Sequence, residues 1–97
     1  MFVLVLDVEL HIPAARSLKA KRAVVKSLVE TSRQRFQVAA AEVGYQDLWQ
    51  RSQIGFAAVA GSAKHVVEVI DEVERFVWSN PESEVIRCER RWMDDET

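Results

Sequence analysis

Apolar side chains occupy every even position from Phe2 to Ile12, while Asp7, Glu9 and His11 fall on odd ones. That alternation is the signature of a strand with one face in a core and the other toward water, so residues 2–12 are predicted as the first strand. Past Pro13 the period changes. Ser17 can cap a helix running to about Arg33, in which Leu18, Val25, Leu28 and Val29 share a face that Val24 widens. "FQVAAAEV" and "QIGFAAVAG" read as a second and a third strand, both rich in small residues, joined by the stretch "EVGYQDLWQR". Gly61 and Ser62 punctuate the start of a second helix with Val66, Val69, Ile70, Val73, Phe76 and Val77 on one face and Glu68, Asp71, Glu72 and Glu74 on the other. "NPES" ends it. The last strand, "EVIRCERRW", alternates again and is expected to place Ile86, Cys88 and Trp92 on one side and Arg87, Glu89 and Arg91 on the other.

The order βαββαβ, with short connections and right-handed crossovers, predicts an α+β fold of the ferredoxin-like type: a four-stranded antiparallel sheet with two helices on one face. The 97 residues suit one such domain, residues 1–97, with enough burial for a modest core. With 48% hydrophobic residues, two Pro and three Gly, the chain is neither disordered nor fibrous in composition. The apolar start carries Asp7 and Glu9, lacks a basic leader and falls short of the roughly 20 residues that span a membrane, so no membrane association is expected. Cys88 is the only cysteine, which excludes an internal disulfide and a cysteine-based zinc cluster and fits a cytoplasmic location. His11 and His65 have no carboxylate or thiol set at ligand spacing, so neither a metal nor another cofactor is expected.

Charge changes the picture more than composition does. Between Arg16 and Arg35 lie seven bases (Arg16, Lys19, Lys21, Arg22, Lys26, Arg33, Arg35) and one acid, Glu30, which leaves six bases and 14 acids elsewhere. The domain is dipolar. On a helical wheel Arg22, Arg33, Lys26 and Lys19 fall within about 40° to 100° of Leu18, a stripe beside the buried face. Such a stripe can track the phosphates of RNA, or it can be a solvated face whose aliphatic stems cover the edges of the core. Lys21 lies on the apolar side, where its ammonium must reach the surface or meet a carboxylate from a neighbouring element.

"SLKAKR", carried by Ser17, Leu18, Lys19, Lys21 and Arg22, followed by Ala41, Glu42 and Val43 and by "QDLWQR" from Gln46 to Arg51, resembles the small bacterial YlxP-like family. Members usually read Asn-Val-Ser after the phenylalanine, and Gln37, Val38 and Ala39 stand here instead, so no polar role carries over at those positions. The resemblance implies a ferredoxin-like fold and genes that neighbour translation-factor genes. It implies no established activity.

An open sheet face would expose Val3, Val5, Asp7, Glu9 and His11 beside Arg87, Glu89 and Arg91, with Gly55, Ala57 and Val59 adding small apolar surface. Opposite charges across neighbouring strands account for the polar half structurally. The apolar half invites a second copy, so a homodimer is one expectation. The face lacks the aromatics on which an RNA-recognition domain stacks bases, unless the third strand turns Phe56 outward. Catalysis finds little support: "HIPAARS" is not the glycine-rich, arginine-containing turn of acylphosphatases, Cys88 sits at an inward position, and Glu42 with Asp47 has no evident pocket. No catalytic residue is assigned.

The connector remains. Asp47 can cap a single helical turn over "DLWQ", and adjacent Leu48 and Trp49 cannot point to the same side, so one is expected to pack and the other to protrude. Trp49 then either lids a small apolar cluster or joins Arg51 as an exposed anchor for a partner. The sequence thus reads as a small binding protein that docks on structured RNA or a ribosomal particle through Lys19, Arg22, Lys26 and Arg33, with Trp49 and Arg51 as a second contact. The alternative is a structural or regulatory interaction module that pairs through its sheet face.

Overall fold

The computed structural model describes residues 1–93. Its elements run β1 (Phe2–His11), α1 (Leu18–Phe36), β2 (Ala39–Gly44), β3 (Arg51–Ala60), α2 (Ala63–Trp78) and β4 (Glu84–Met93). The strands form one antiparallel sheet in the order β2-β3-β1-β4, the ferredoxin-like arrangement expected from the sequence. Each helix follows a strand and returns to one parallel to it, two strands away.

The even side chains of β1 from Leu4 to Leu10, and Ile12 just past its end, are all at most 2% exposed, and Ile54 and Phe56 of β3 join them. Against this layer pack Val24, Val25, Leu28 and Val29 of α1 and Val66, Ile70, Val73 and Val77 of α2, so both helices cover one face and the other stays open. Phe56 is 1% exposed, which fixes the register of β3 and removes any base-stacking role for its ring. Ser17 and Ser62 cap the helices, accepting from the N–H groups of Ala20 and His65.

The chain departs from its pattern in three places. α1 continues one turn past Arg33 and stops where Gln37 adopts a left-handed conformation, φ 56°, so β2 begins at Ala39 rather than Phe36. In β4 the register slips between the partners of Glu9 and Leu10: Glu9 faces Arg87 but Leu10 faces Val85, leaving Ile86 as an unpaired extra residue, 49% exposed. Val85 takes the place against the core that the alternation assigns to Ile86. Trp92 does lie on the helix side, opposite Leu4, but it stays 48% exposed, with the ring of Phe2 edge-on to it at 6.4 Å.

Candidate functional site

Lys21 is fully buried although it belongs to the basic segment. Its ammonium donates to Glu42 Oε2 at 2.7 Å, to the Tyr45 carbonyl at 3.0 Å and to the Gln46 carbonyl at 3.3 Å, one acceptor for each of its three donors. Ser52, equally buried, donates to the same carboxylate oxygen at 2.6 Å. A serine and a lysine that share one carboxylate resemble a nucleophilic triad in composition, but Ser52 and Lys21 have no exposed surface through which a substrate could approach. The network is a tether. It holds the connector Tyr45–Gln50 against the start of α1.

Gln50 secures the other end. Its side-chain amide donates to the carbonyls of Pro13 and Ala15, both at 3.1 Å, and its own carbonyl accepts from Ile12 N–H at 2.9 Å. The helical turn expected over "DLWQ" does not form: Tyr45 is left-handed at φ 56°, and a turn closes from the Leu48 N–H to the Tyr45 carbonyl at 3.1 Å. The three acceptors around Lys21 dictate that path, because local capping by Asp47 is weaker than satisfying a buried ammonium. With the backbone held this way, Leu48 and Trp49 are both about half exposed, at 49% and 56%, instead of one packing and one protruding.

Lys19, Arg22 and Lys26 lie exposed along α1, with Arg16 exposed just before it. Among the described residues none of these four makes an ion pair. Arg33, on the same stripe, is occupied differently. Its guanidinium donates twice to the Ala40 carbonyl, at 3.0 and 2.6 Å, and so covers a main-chain acceptor of the sheet's edge strand. The first turn of α1 contains no acid, although acids are favoured at the positive end of the helix dipole.

The bases of the sheet's open face present the opposite case. Arg51 donates to Glu9 through Nε at 2.9 Å and again through Nη2, and its guanidinium lies 5.0 Å from the centre of the Tyr45 ring. Arg87 reaches Asp7 at 3.4 Å, Glu9 at 3.7 Å and Glu89 at 3.0 Å, and Arg91 reaches Asp7 at 3.4 Å. The hydrogen bond that Arg51 donates to Glu9 holds its pKa above the ordinary value. For Arg87, burial lowers the pKa, but the charges of Asp7, Glu89 and Glu9 outweigh it and the net shift is upward. This half of the face is neutralised from within, and Arg51 is held in β3 away from the exposed tip of the connector.

The other half is apolar. Val5, Ala39, Ala41, Val43, Gly55 and Ala57 line a shallow depression of about 290 Å³. Val43 is 57% exposed, and Val59, across from Val3 toward the other end of β3, is 64% exposed. No helix among the described residues is long and apolar enough to cross a membrane, and none of their His, Cys, Asp and Glu side chains gather in threes that could hold a metal.

A family model described as "Protein of unknown function (DUF503)" matches residues 3–90. The chain belongs to this family. It is also 40% identical over 78 residues to "Uncharacterized protein YlxP" of Bacillus subtilis (strain 168), covering 80% of this chain and 85% of that protein. The resemblance carried by "SLKAKR" and "QDLWQR" is thereby confirmed. Within this DUF503 chain both blocks contain residues of the tether, Lys21 in the first and the Gln46 carbonyl and Gln50 in the second, which ties part of the motif to architecture.

Cys88 packs against the core and donates to Glu74 Oε1 at 3.5 Å. Burial pushes its thiol up to about 11, with the Glu74 carboxylate adding to the effect. An ordinary thiol is half ionised near pH 9, so at that pH Cys88 should be alkylated by iodoacetamide about 50-fold more slowly than a free thiol. Because the folded thiol titrates above its unfolded value of 9.0, its contribution to stability is complete below about pH 9 and fades as pH rises through about 11. Alkylation at the rate of a free thiol would contradict this placement.

Proposed function

We propose that this DUF503 protein is a cytoplasmic binding protein that docks on structured RNA, or on a ribonucleoprotein such as a ribosomal particle, through the exposed face of α1. The observation that carries this reading is a contrast in charge pairing. Arg51, Arg87, Arg90 and Arg91 all face acids at close range, whereas Arg16, Lys19, Arg22 and Lys26 meet none among the described residues. Bases clustered at the positive end of a helix dipole, with acids absent from its first turn, oppose local stability, and such a departure from the local rule is expected where a surface serves a partner. RNA phosphates supply the missing countercharge. The test is co-sedimentation with RNA-containing cell fractions, comparing wild type with a folded Lys19→Glu, Arg22→Glu, Lys26→Glu variant. Binding by the first and not the second supports the reading; equal binding by both defeats it.

A second reading rests on the apolar depression of the open face: two copies pair through it. It predicts a concentration-dependent dimer in analytical ultracentrifugation that Val5→Asp converts to monomer. A wild-type monomer at every concentration removes it.

A further inference from the structure

We infer that the surface formed by the connector and the start of α1 recognises an unpaired nucleotide within the RNA, with one base stacked on Trp49 and the flanking phosphates held by Arg16, Lys19 and Arg22. The inference deepens the RNA reading above and rests on it.

The juxtaposition is made by the tether. Gln50 bonds the carbonyls of Pro13 and Ala15, so Trp49 and Arg16 are each next in sequence to a residue of one hydrogen-bonded pair. Lys21 bonds the carbonyls of Tyr45 and Gln46, which seats the connector against the first turn of α1, where Lys19 and Arg22 project. Segments about thirty residues apart in sequence are thus brought together. The juxtaposition combines an indole that is 56% exposed with three cations that make no ion pair among the described residues, on a backbone fixed at both ends.

Two other indoles are comparably exposed, Trp78 at 58% and Trp92 at 48%, but Trp78 ends the acid-rich helix α2 and Trp92 follows Arg90 and Arg91, which already face acids. The Tyr45 ring already lies beside the Arg51 guanidinium, and the rings of Phe36 and Phe76 pack against each other at a tilt, 5.7 Å between centres. The open sheet face presents Val, Ala and Gly where a stacking platform would need rings. A base has a π-face to lay on an indole only when it is released from a duplex, and single strands are bound by pairing such rings with a cationic track for the backbone. A continuous duplex would engage the cations alone.

The experiment measures fluorescence anisotropy of a labelled unpaired RNA of about ten nucleotides, within the range that one stacking module covers, and of the same strand annealed to its complement. Wild type, Trp49→Leu and Trp49→Phe are compared with the triple charge reversal, each checked for folding by circular dichroism. Trp49→Leu keeps apolar bulk without a π-face, and Trp49→Phe keeps a ring. The expected result is a loss of roughly 5- to 150-fold in single-strand affinity for Trp49→Leu, the range of one stacked base, with most of it retained in Trp49→Phe and duplex affinity unchanged. If Trp49→Leu binds the single strand like wild type while charge reversal abolishes binding, the stacking inference is overturned and the RNA reading stands. If wild type binds neither RNA, both are overturned and the surface is left to a protein partner.

Discussion

Lys21→Ala is expected to lower stability by about 3–5 kcal/mol, the usual result of removing one member of a buried ion pair. The reason is what remains. Glu42, with 15% of its side chain exposed, would be left with Ser52 as its side-chain donor, and the carbonyls of Tyr45 and Gln46 would lose the ammonium that satisfies them. Against a total stability of about 5–15 kcal/mol this is a large fraction. For a domain of this size it corresponds to a fall in Tm of about 12 °C or more. Urea denaturation of Lys21→Ala, Lys21→Met, Glu42→Leu and the Lys21→Met, Glu42→Leu pair would measure it. The double variant is expected to be no less stable than either single, because it leaves no lone buried charge. A loss below about 1 kcal/mol for Lys21→Ala would mean that the pair behaves like an exposed one.

The second large effect concerns RNA. If Lys19, Arg22 and Lys26 each neutralise one phosphate, counterion release contributes about 2.1 to 2.7 log units of affinity at 0.1 M salt, for single-stranded and duplex contacts respectively. Reversing all three charges should therefore weaken binding roughly 100- to 500-fold or more. Arg33→Ala should matter less for RNA than any one of these three, since its guanidinium is already engaged by the Ala40 carbonyl. Its effect is expected on stability, through an uncovered acceptor on the sheet edge. A triple reversal that binds within a few-fold of wild type would remove α1 from the interface.

Much of the fold is legible in the period of the apolar residues, because strands buried on one face must alternate and helices must repeat every three to four positions. β1 shows this best, with its even positions from Leu4 onward all in the core. What periodicity misses are features set by contacts distant in sequence. The extra residue at Ile86 leaves no mark in the alternation, since Ile86 is as apolar as the Val85 that replaces it in the core. Lys21 stands out in sequence as a base on an apolar face, and the structure supplies the carboxylate, Glu42, that such a position demands. The connector could not be read locally at all, because its path follows the acceptors around Lys21 and the carbonyls bound by Gln50. The same limit separates Arg51 from Trp49: two residues apart in sequence, one is drawn into β3 by Glu9 and the other is left at the exposed tip. The stripe on α1 divides likewise: three bases make no ion pair among the described residues, and Arg33 is bound to the edge strand.

The most direct test of the account is the salt dependence of wild-type RNA binding between about 50 and 200 mM. Three phosphate contacts on α1 predict a log-log slope of about −2.1 to −2.7, a loss of roughly 20- to 40-fold across that range. A slope near zero, or no binding at the lower salt, would contradict the assignment of α1 as an RNA-binding face.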